Sequence, residues 1–591
     1  MVAVRQMKNV FIGFIFVLVC VAIPISVYTG HSDVILSKLT DFKVNFVPKL
    51  SQVVQESTSE SKSEEEDDVE EEAEVDNNDV DATKNQHFKI VEPTEFFNFT
   101  LTHPFENSCK TPFILPIEPD IETYVKHYRR VNCKHNRTNV LVEQLVDGDI
   151  VVSYSHDYTG AKPVKCKMIE LSGTLKKDKN RIFQVKPWVE LPFNKRLTID
   201  KNNFLIKCTD KKQKVVFKNV YANVKPMNPL PPLISDSPKS FGVNIVVFDS
   251  TARAQFLRHM PESVEFMKRY NFTVLYGHNK VGDNSAINLV PLHAGRVFHA
   301  DVRGLDDRIR PEMEIPKSEL KKNYWDNSDF LIQKMKDLGC ATLWNDDIGN
   351  KNYGLLNYYQ FNGFYKPPAN YYYRPFYSYI YENFKYAHTC VAHDFLGQRY
   401  IEIWEKFAAK FQKNCHFGFN FFTALTHSKT SHLELYDHHF ANSLKRLAES
   451  TDLFENSFLF VMGDHGQRME LIQKKYTGRI EERMPMVGVY VPPRFREMYP
   501  EKYQNLLKNQ NRLTTNFDLH DTLREILDLT EHSGGPVGNS LLKEISTDRN
   551  CKEAHVPENF CMCMVDAGKD WLDEVDVECY GTDINRVPNV T

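Results

Sequence analysis

Apolar residues run almost unbroken from Val10 to Tyr28 (VFIGFIFVLVCVAIPISVY), behind Arg5 and Lys8. As a helix, that length reaches about 28 Å, close to the ~30 Å hydrocarbon core of a bilayer. It exceeds the ~7–15 apolar residues of a cleaved signal peptide. The pattern therefore predicts a transmembrane signal anchor over 10–28 and a cytosolic tail over 1–9. The chain is expected to be a single-pass type II membrane protein of the secretory pathway or cell surface, its bulk lumenal or extracellular. Cleavage within Ser26–Gly30 would make it a secreted protein instead. Residues 29–85 are polar and read as an extended acidic stalk. From 86 to 235, short alternating runs such as RIFQV, IVVSYSH and VVFKNVYANV predict a β-rich domain, closed by the proline-rich PMNPLPPLISDSPKS. From 236 to 545 the period changes. The strand patterns NIVVFDS, FTVLYGH, GCATLWND, FGFNFFTAL, SFLFVMGD and PMVGVYV alternate with helical stretches such as RAQFLRHMPESVEFMKRY, HHFANSLKRLAES and DLHDTLREILDL. Such alternation predicts an α/β fold with a mostly parallel sheet and helices on both faces. Residues 546–591 form a Cys-rich C-terminal segment.

Charge and cysteine content sharpen this picture. The formal net charge of −5 conceals fourteen acidic residues against Lys62 between Glu56 and Asp81, leaving about +8 on the rest. No concentrated basic stripe is present, so nucleic-acid binding is not expected. Of twelve cysteines, eleven lie outside the apolar segment. A lumenal location makes most of them disulfides, with the pairing open and one thiol left over. Cys109, Cys133, Cys166 and Cys208 make room for two bridges in the β-rich region. A zinc knuckle at Cys561-Met-Cys563 is the weaker alternative, because no second pair follows at the usual spacing. Sequons at Asn98, Asn136, Asn271 and Asn589 offer glycosylation sites.

In open α/β sheets, sites form beyond the carboxyl ends of the strands. Asp249 ends NIVVFDS, His427 follows FGFNFFTAL, and Asp464-His465 end SFLFVMGDHG. Carboxylate and imidazole donors of this kind suit Zn²⁺ and other divalent ions. An Asp after a strand is also a common helix cap, so any one of them alone says little. Ser285 stands before an apolar helical run ending at Gly295. It reads as a cap or first-turn residue, and as a hydroxyl beside backbone N–H groups able to hold an oxyanion. Asp346 and Asp347, after GCATLWND, fall near the same edge or serve a turn. His432 and Asp437 follow His427, Asp437 being as readily a cap as a ligand. His520 lies in a helical pattern, where a structural hydrogen bond is expected.

This order of motifs resembles the alkaline phosphatase and sulfatase superfamily, and more closely the sulfatase-like DUF229 family of nematodes and insects. The matching runs are FDSTARAQFLRHMP, VGDNSAINLVPLHAG, NYGLLNYYQFNGFYKPPANYYYRPF, FVMGDHGQR, EERMP, TTNFDLHDTL and the terminal RNC…FCMC. The resemblance implies an alkaline-phosphatase-like catalytic domain. Asp249, Ser285, Asp464 and His465 would ligate one divalent ion, zinc first, with manganese or calcium as alternatives. Ser285 would be the nucleophile, and His427 would contact the substrate oxyanion or a second ion. Two departures bear on the chemistry. Ala-Ile-Asn follows Ser285 where formylglycine sulfatases carry a Pro and an Arg, which disfavours the formylglycine route. The Asp-x-x-x-His pair of two-metal phosphodiesterases is missing before His427. The expected activity is hydrolysis or transfer of phosphate esters or phosphodiesters on a glycan or lipid substrate, with the N-terminal helix in a membrane. The alternative is an inactive fold used as an extracellular glycan- or protein-binding module.

Overall fold

The computed structural model describes residues 109–563 apart from internal stretches, the longest of them 299–313. The apolar segment 10–28, the acidic stalk, Asn98, Asn136 and Asn589 lie outside the described residues. No helix among those described is long and apolar enough to cross a membrane.

Seven strands build the β-rich region: β1 (Val140–Gln144), β2 (Ile150–Tyr154), β3 (Lys165–Gly173), β4 (Ile182–Leu191), β5 (Arg196–Leu197), β6 (Asn203–Thr209) and β7 (Val215–Ala222). They pair antiparallel in two sheets, ordered β1-β2-β5 and β4-β3-β6-β7. Alternation along β3 and β6 divides their side chains between two cores. Cys166, Met168, Phe204 and Ile206 pack within the region. Ile169, Leu171, Leu205 and Val220 join the core of the neighbouring α/β sheet.

That second sheet has seven strands: β8 (Gly242–Phe248), β9 (Thr273–Val274), β10 (Ala341–Asp346), β11 (Tyr371–Tyr372), β12 (His416–Phe422), β13 (Ser457–Gly463) and β14 (Val487–Tyr490). Their order is β11-β10-β12-β8-β13-β14-β9. The first five are parallel; at one edge β14 runs antiparallel to β13, and β9 pairs antiparallel with β14. Every residue of β8, β12 and β13 is buried, as continuous apolar strands covered on both faces should be. Alternate residues face opposite cores. Val246, Phe248, Leu459 and Val461 meet α4 (Leu396–Phe411) and α5 (Glu434–Ser450). Val247, Phe419, Phe460 and Met462 meet α3 (Ser285–Ala294) and α6 (Asn516–Ile526).

The sequence pattern differs from the structure at two points. The helical stretch after Asp249 divides into α1 (Arg253–His259) and α2 (Pro261–Arg269). Pro261 has no N–H to continue α1 but suits the first turn of a new helix. Within FTVLYGH only Thr273 and Val274 pair, as the short edge strand β9. The two bridges placed in the β-rich region also need correction. Only Cys166–Cys208 is internal to it, while Cys133 joins Cys390 and Cys109 joins Cys563. Cys340–Cys415 and Cys551–Cys561 complete five disulfides. Cys561 and Cys563 are thus both oxidised, which removes the zinc-knuckle reading; Cys579 lies outside the described residues.

Candidate metal centre

Three of the residues singled out in the sequence meet at the carboxyl ends of adjacent parallel strands. Asp249 follows β8, and Asp464 and His465 follow β13, which pairs with β8 up to the register Gly463↔Phe248. One ligand atom from each of the three lies within 4.8 Å of the other two. All three side chains are buried, with at most 1% of their surface exposed.

Hydrogen bonds fix how these groups point. Asp464 Oδ1 accepts the N–H groups of Ser250 and His465 at 2.9 and 2.8 Å. Asp249 Oδ1 accepts the Ser250 hydroxyl at 2.9 Å. His465 Nδ1 lies 2.7 Å from the Gly466 carbonyl. Nδ1 must therefore carry the proton, and Nε2 presents its lone pair. That lone pair stands 3.3 Å from Asp464 Oδ2 and 3.9 Å from Asp249 Oδ1. Asp249 Oδ2, Asp464 Oδ2 and His465 Nε2 are all buried without a hydrogen-bond partner. An orphaned buried polar atom costs about 1–3 kcal/mol, more when charged, and a divalent cation held among the three residues would satisfy these atoms. Burial, and then the nearby Asp464, push the Asp249 carboxyl well above the usual range. Burial also lowers the His465 imidazole. The donor set of two carboxylates and one imidazole fits Zn²⁺ or Mn²⁺.

The other candidates are placed as follows. Ser285 is the first residue of α3 and half-buried. The cap is its neighbour Asn284, whose side chain accepts Ile287 N–H. Two residues before Ser285, Asp283 pairs with Arg468 at 3.2 Å, tying the start of α3 to the segment after His465. His427 is half-buried in the turns after β12, and its carbonyl accepts Gln467 Nε2 at 3.1 Å. His432 is half-buried and bonded to the backbone of its own loop. Its Nδ1 lies 3.2 Å from the Leu425 carbonyl, and its ring meets the Tyr128 edge. Burial lowers its basicity. The Asp346 carboxylate is taken up by the Ile348 and Leu355 N–H groups, the turn role. Its neighbour Asp347 is the one close enough to raise Asp249 electrostatically, and burial pushes Asp347 itself up to about 8. Asp437 is a cap for a different helix, accepting Glu262 and Ser263 N–H at the start of α2, each at 2.8 Å. His520 Nδ1 lies 3.0 Å from the Leu292 carbonyl, a structural bond. Asn271 is exposed in the turn between α2 and β9.

Sequence reasoning missed the cations around this centre. Lys280 is fully buried and paired with Glu482, and it lies near enough to lower His465. Arg468 acts on both Asp249 and His465. Arg468 lies in FVMGDHGQR and Lys280 immediately precedes VGDNSAINLVPLHAG, but only packing shows that they converge.

The profile of the family described as "Protein of unknown function (DUF229)" matches residues 126–586. The chain belongs to the DUF229 family. The comparison with curated proteins gives no match. Among solved structures, the chain is similar to the C-terminal periplasmic domain of EcEptC from Escherichia coli, determined in complex with zinc. The two share 13% identity over 53% of this chain and 90% of that one, with a TM-score of 0.36. It is also similar to the soluble domain of lipooligosaccharide phosphoethanolamine transferase A from Neisseria meningitidis (12% identity, 49% and 88% covered, TM-score 0.32). A third likeness is to a phosphonate monoester hydrolase from Silicibacter pomeroyi (11% identity, 52% and 78% covered, TM-score 0.33).

Proposed function

We propose that this DUF229 protein is a metal-dependent hydrolase or transferase of phosphate esters or phosphodiesters carried by a glycan or lipid. In this reading it is held in a membrane of the secretory pathway by residues 10–28, with its catalytic body lumenal or extracellular. The observation that carries the reading is the trio of buried, unpartnered donor atoms on Asp249, Asp464 and His465. Those residues would hold one divalent ion, and Ser285 is assigned as the nucleophile that such an ion would activate. Such an ion supplies Lewis-acid polarisation of a phosphoryl oxygen and eases deprotonation of a nearby hydroxyl.

The chain's own residues divide the remaining work. Ser285 and Ala286 precede the first intrahelical bond of α3, made by Asn288 N–H to the Asn284 carbonyl. Their N–H groups lie at the positive end of a ten-residue helix, which favours an oxyanion. Arg468, paired with Asp283 at 3.2 Å, lies next to the start of this helix. Ser285 Oγ forms the bond to phosphorus as the bond to the leaving oxygen breaks, its proton passing to solvent. His427 protonates the departing oxygen. Water or an acceptor hydroxyl then attacks the phosphoserine and restores Ser285.

The deciding experiment pairs metal content with turnover on matched phosphodiester and sulfate-ester substrates. The wild type should hold a divalent ion at this centre and prefer phosphorus. Asp464→Asn should lose that ion, and Ser285→Ala should lower turnover by a factor on the order of 10³ or more. Full activity in Ser285→Ala would overturn the nucleophile. Folded protein that binds no ion at this centre would favour the binding-module reading.

A further inference from the structure

A second constellation lies outside the centre just described. α1 runs from the Asp249 loop and ends at His259, seven residues and about 10 Å along its axis. There His259 meets Glu434, the first residue of α5, and His127, from the chain that leads into the β-rich region. One ligand atom from each of these three residues lies within 4.8 Å of the others.

His127 and Glu434 are hydrogen-bonded to each other, but that bond leaves the third member, His259, unsatisfied. His259 is 1% exposed. Its Nδ1 stands 3.5 Å from Glu434 Oε2 yet is buried without a hydrogen bond. His127 Nδ1 lies 3.2 Å from that same oxygen. Two donors bound to a tetrahedral zinc at ~2.0–2.1 Å are separated by about 3.3–3.4 Å. The two measured gaps bracket that edge. Tyr128 N–H also reaches Glu434 Oε2, at 3.2 Å. The carboxylate is therefore held in place by backbone, in the manner of a supported ligand. His127 is exposed, leaving one side open to a water as fourth ligand. A buried imidazole nitrogen left orphaned costs about 1–3 kcal/mol, which a bound ion removes.

We infer that His127, His259 and Glu434 form a second divalent-cation site of zinc type, separate from Asp249, Asp464 and His465. Its role is structural. It fastens the segment around Tyr128 onto the end of α1 and the start of α5, ahead of the Cys133–Cys390 bridge.

The test uses the full-length chain in detergent, stripped with a chelator and then loaded with zinc alone. Retained zinc is counted by elemental analysis after gel filtration. The wild type should keep two equivalents, and His127→Gln and Asp464→Asn one each. Zinc should also raise the melting temperature of His127→Gln less than that of the wild type. Because His127 is exposed, its replacement leaves the core intact. A wild type that keeps one equivalent, lost in His127→Gln and kept in Asp464→Asn, would support this site while overturning the proposed catalytic centre. His127→Gln holding as much zinc as the wild type overturns the inference.

Discussion

Asp437 shows how far one side chain's role depends on its surroundings. It sits in the first turn of α5 but serves α2, accepting two backbone N–H groups and the Ser263 hydroxyl at 2.7 Å. Burial outweighs those bonds and raises its carboxyl from 3.8 to about 6. A carboxyl whose folded pKa lies above its unfolded value stabilises the fold through its protonated form. That contribution is complete below about 3.8 and is lost as pH rises through about 6. Two pKa steps correspond to about 3 kcal/mol. Wild-type stability should therefore fall between pH 4 and 6.5 relative to Asp437→Asn, measured by urea unfolding at each pH. Parallel curves for the two proteins would show that Asp437 does not titrate this way. The trio of Asp249, Asp464 and His465 follows the same logic, with a bound cation rather than a proton as the proposed remedy for its orphaned atoms.

Between elements, the run EERMP has a physical reading. Its Glu481 holds Arg258 of α1 through two bonds of 2.5 and 2.8 Å, both side chains almost wholly buried. Glu482 holds Lys280 before α3, and Arg483 donates to the Asn559 carbonyl near the C-terminus. One short helix, Tyr476–Arg483, thus ties together two segments that flank the candidate metal centre and the C-terminal segment. Breaking a buried pair from one side leaves an uncompensated charge and costs about 3–5 kcal/mol. Glu481→Ala should accordingly lower the unfolding free energy by that amount in denaturant titration. A loss under 1 kcal/mol would mean that water reaches Arg258.

At the scale of the molecule, disulfides hold distant parts of the chain together. Cys109–Cys563 spans 454 residues and Cys133–Cys390 spans 257. Closing loops of that length removes much of the unfolded chain's freedom, and loss of one such bridge typically costs about 2–5 kcal/mol. The double variant Cys133→Ser, Cys390→Ser should melt several degrees below the wild type, and non-reducing peptide mapping should recover the five pairs. An unchanged melting point, or a different map, would contradict the connectivity. The order of strands and helices, the parallel sheet and the acidic and imidazole groups at strand ends were legible in the sequence. Period and composition are local properties, and a fully buried strand must be apolar throughout. Asp249, Asp464 and His465 could be named for the same reason, each closing a recognisable strand. The sequence left open that Asn284 rather than Ser285 caps α3, that Asp437 serves α2, that Cys133 pairs across 257 residues, and that Lys280 and His127 find the carboxylates of Glu482 and Glu434. Those outcomes depend on which surfaces meet. Hydrogen bonds, ion pairs and metal sites act over a few ångströms in space, and packing alone brings residues so far apart in the chain within that reach.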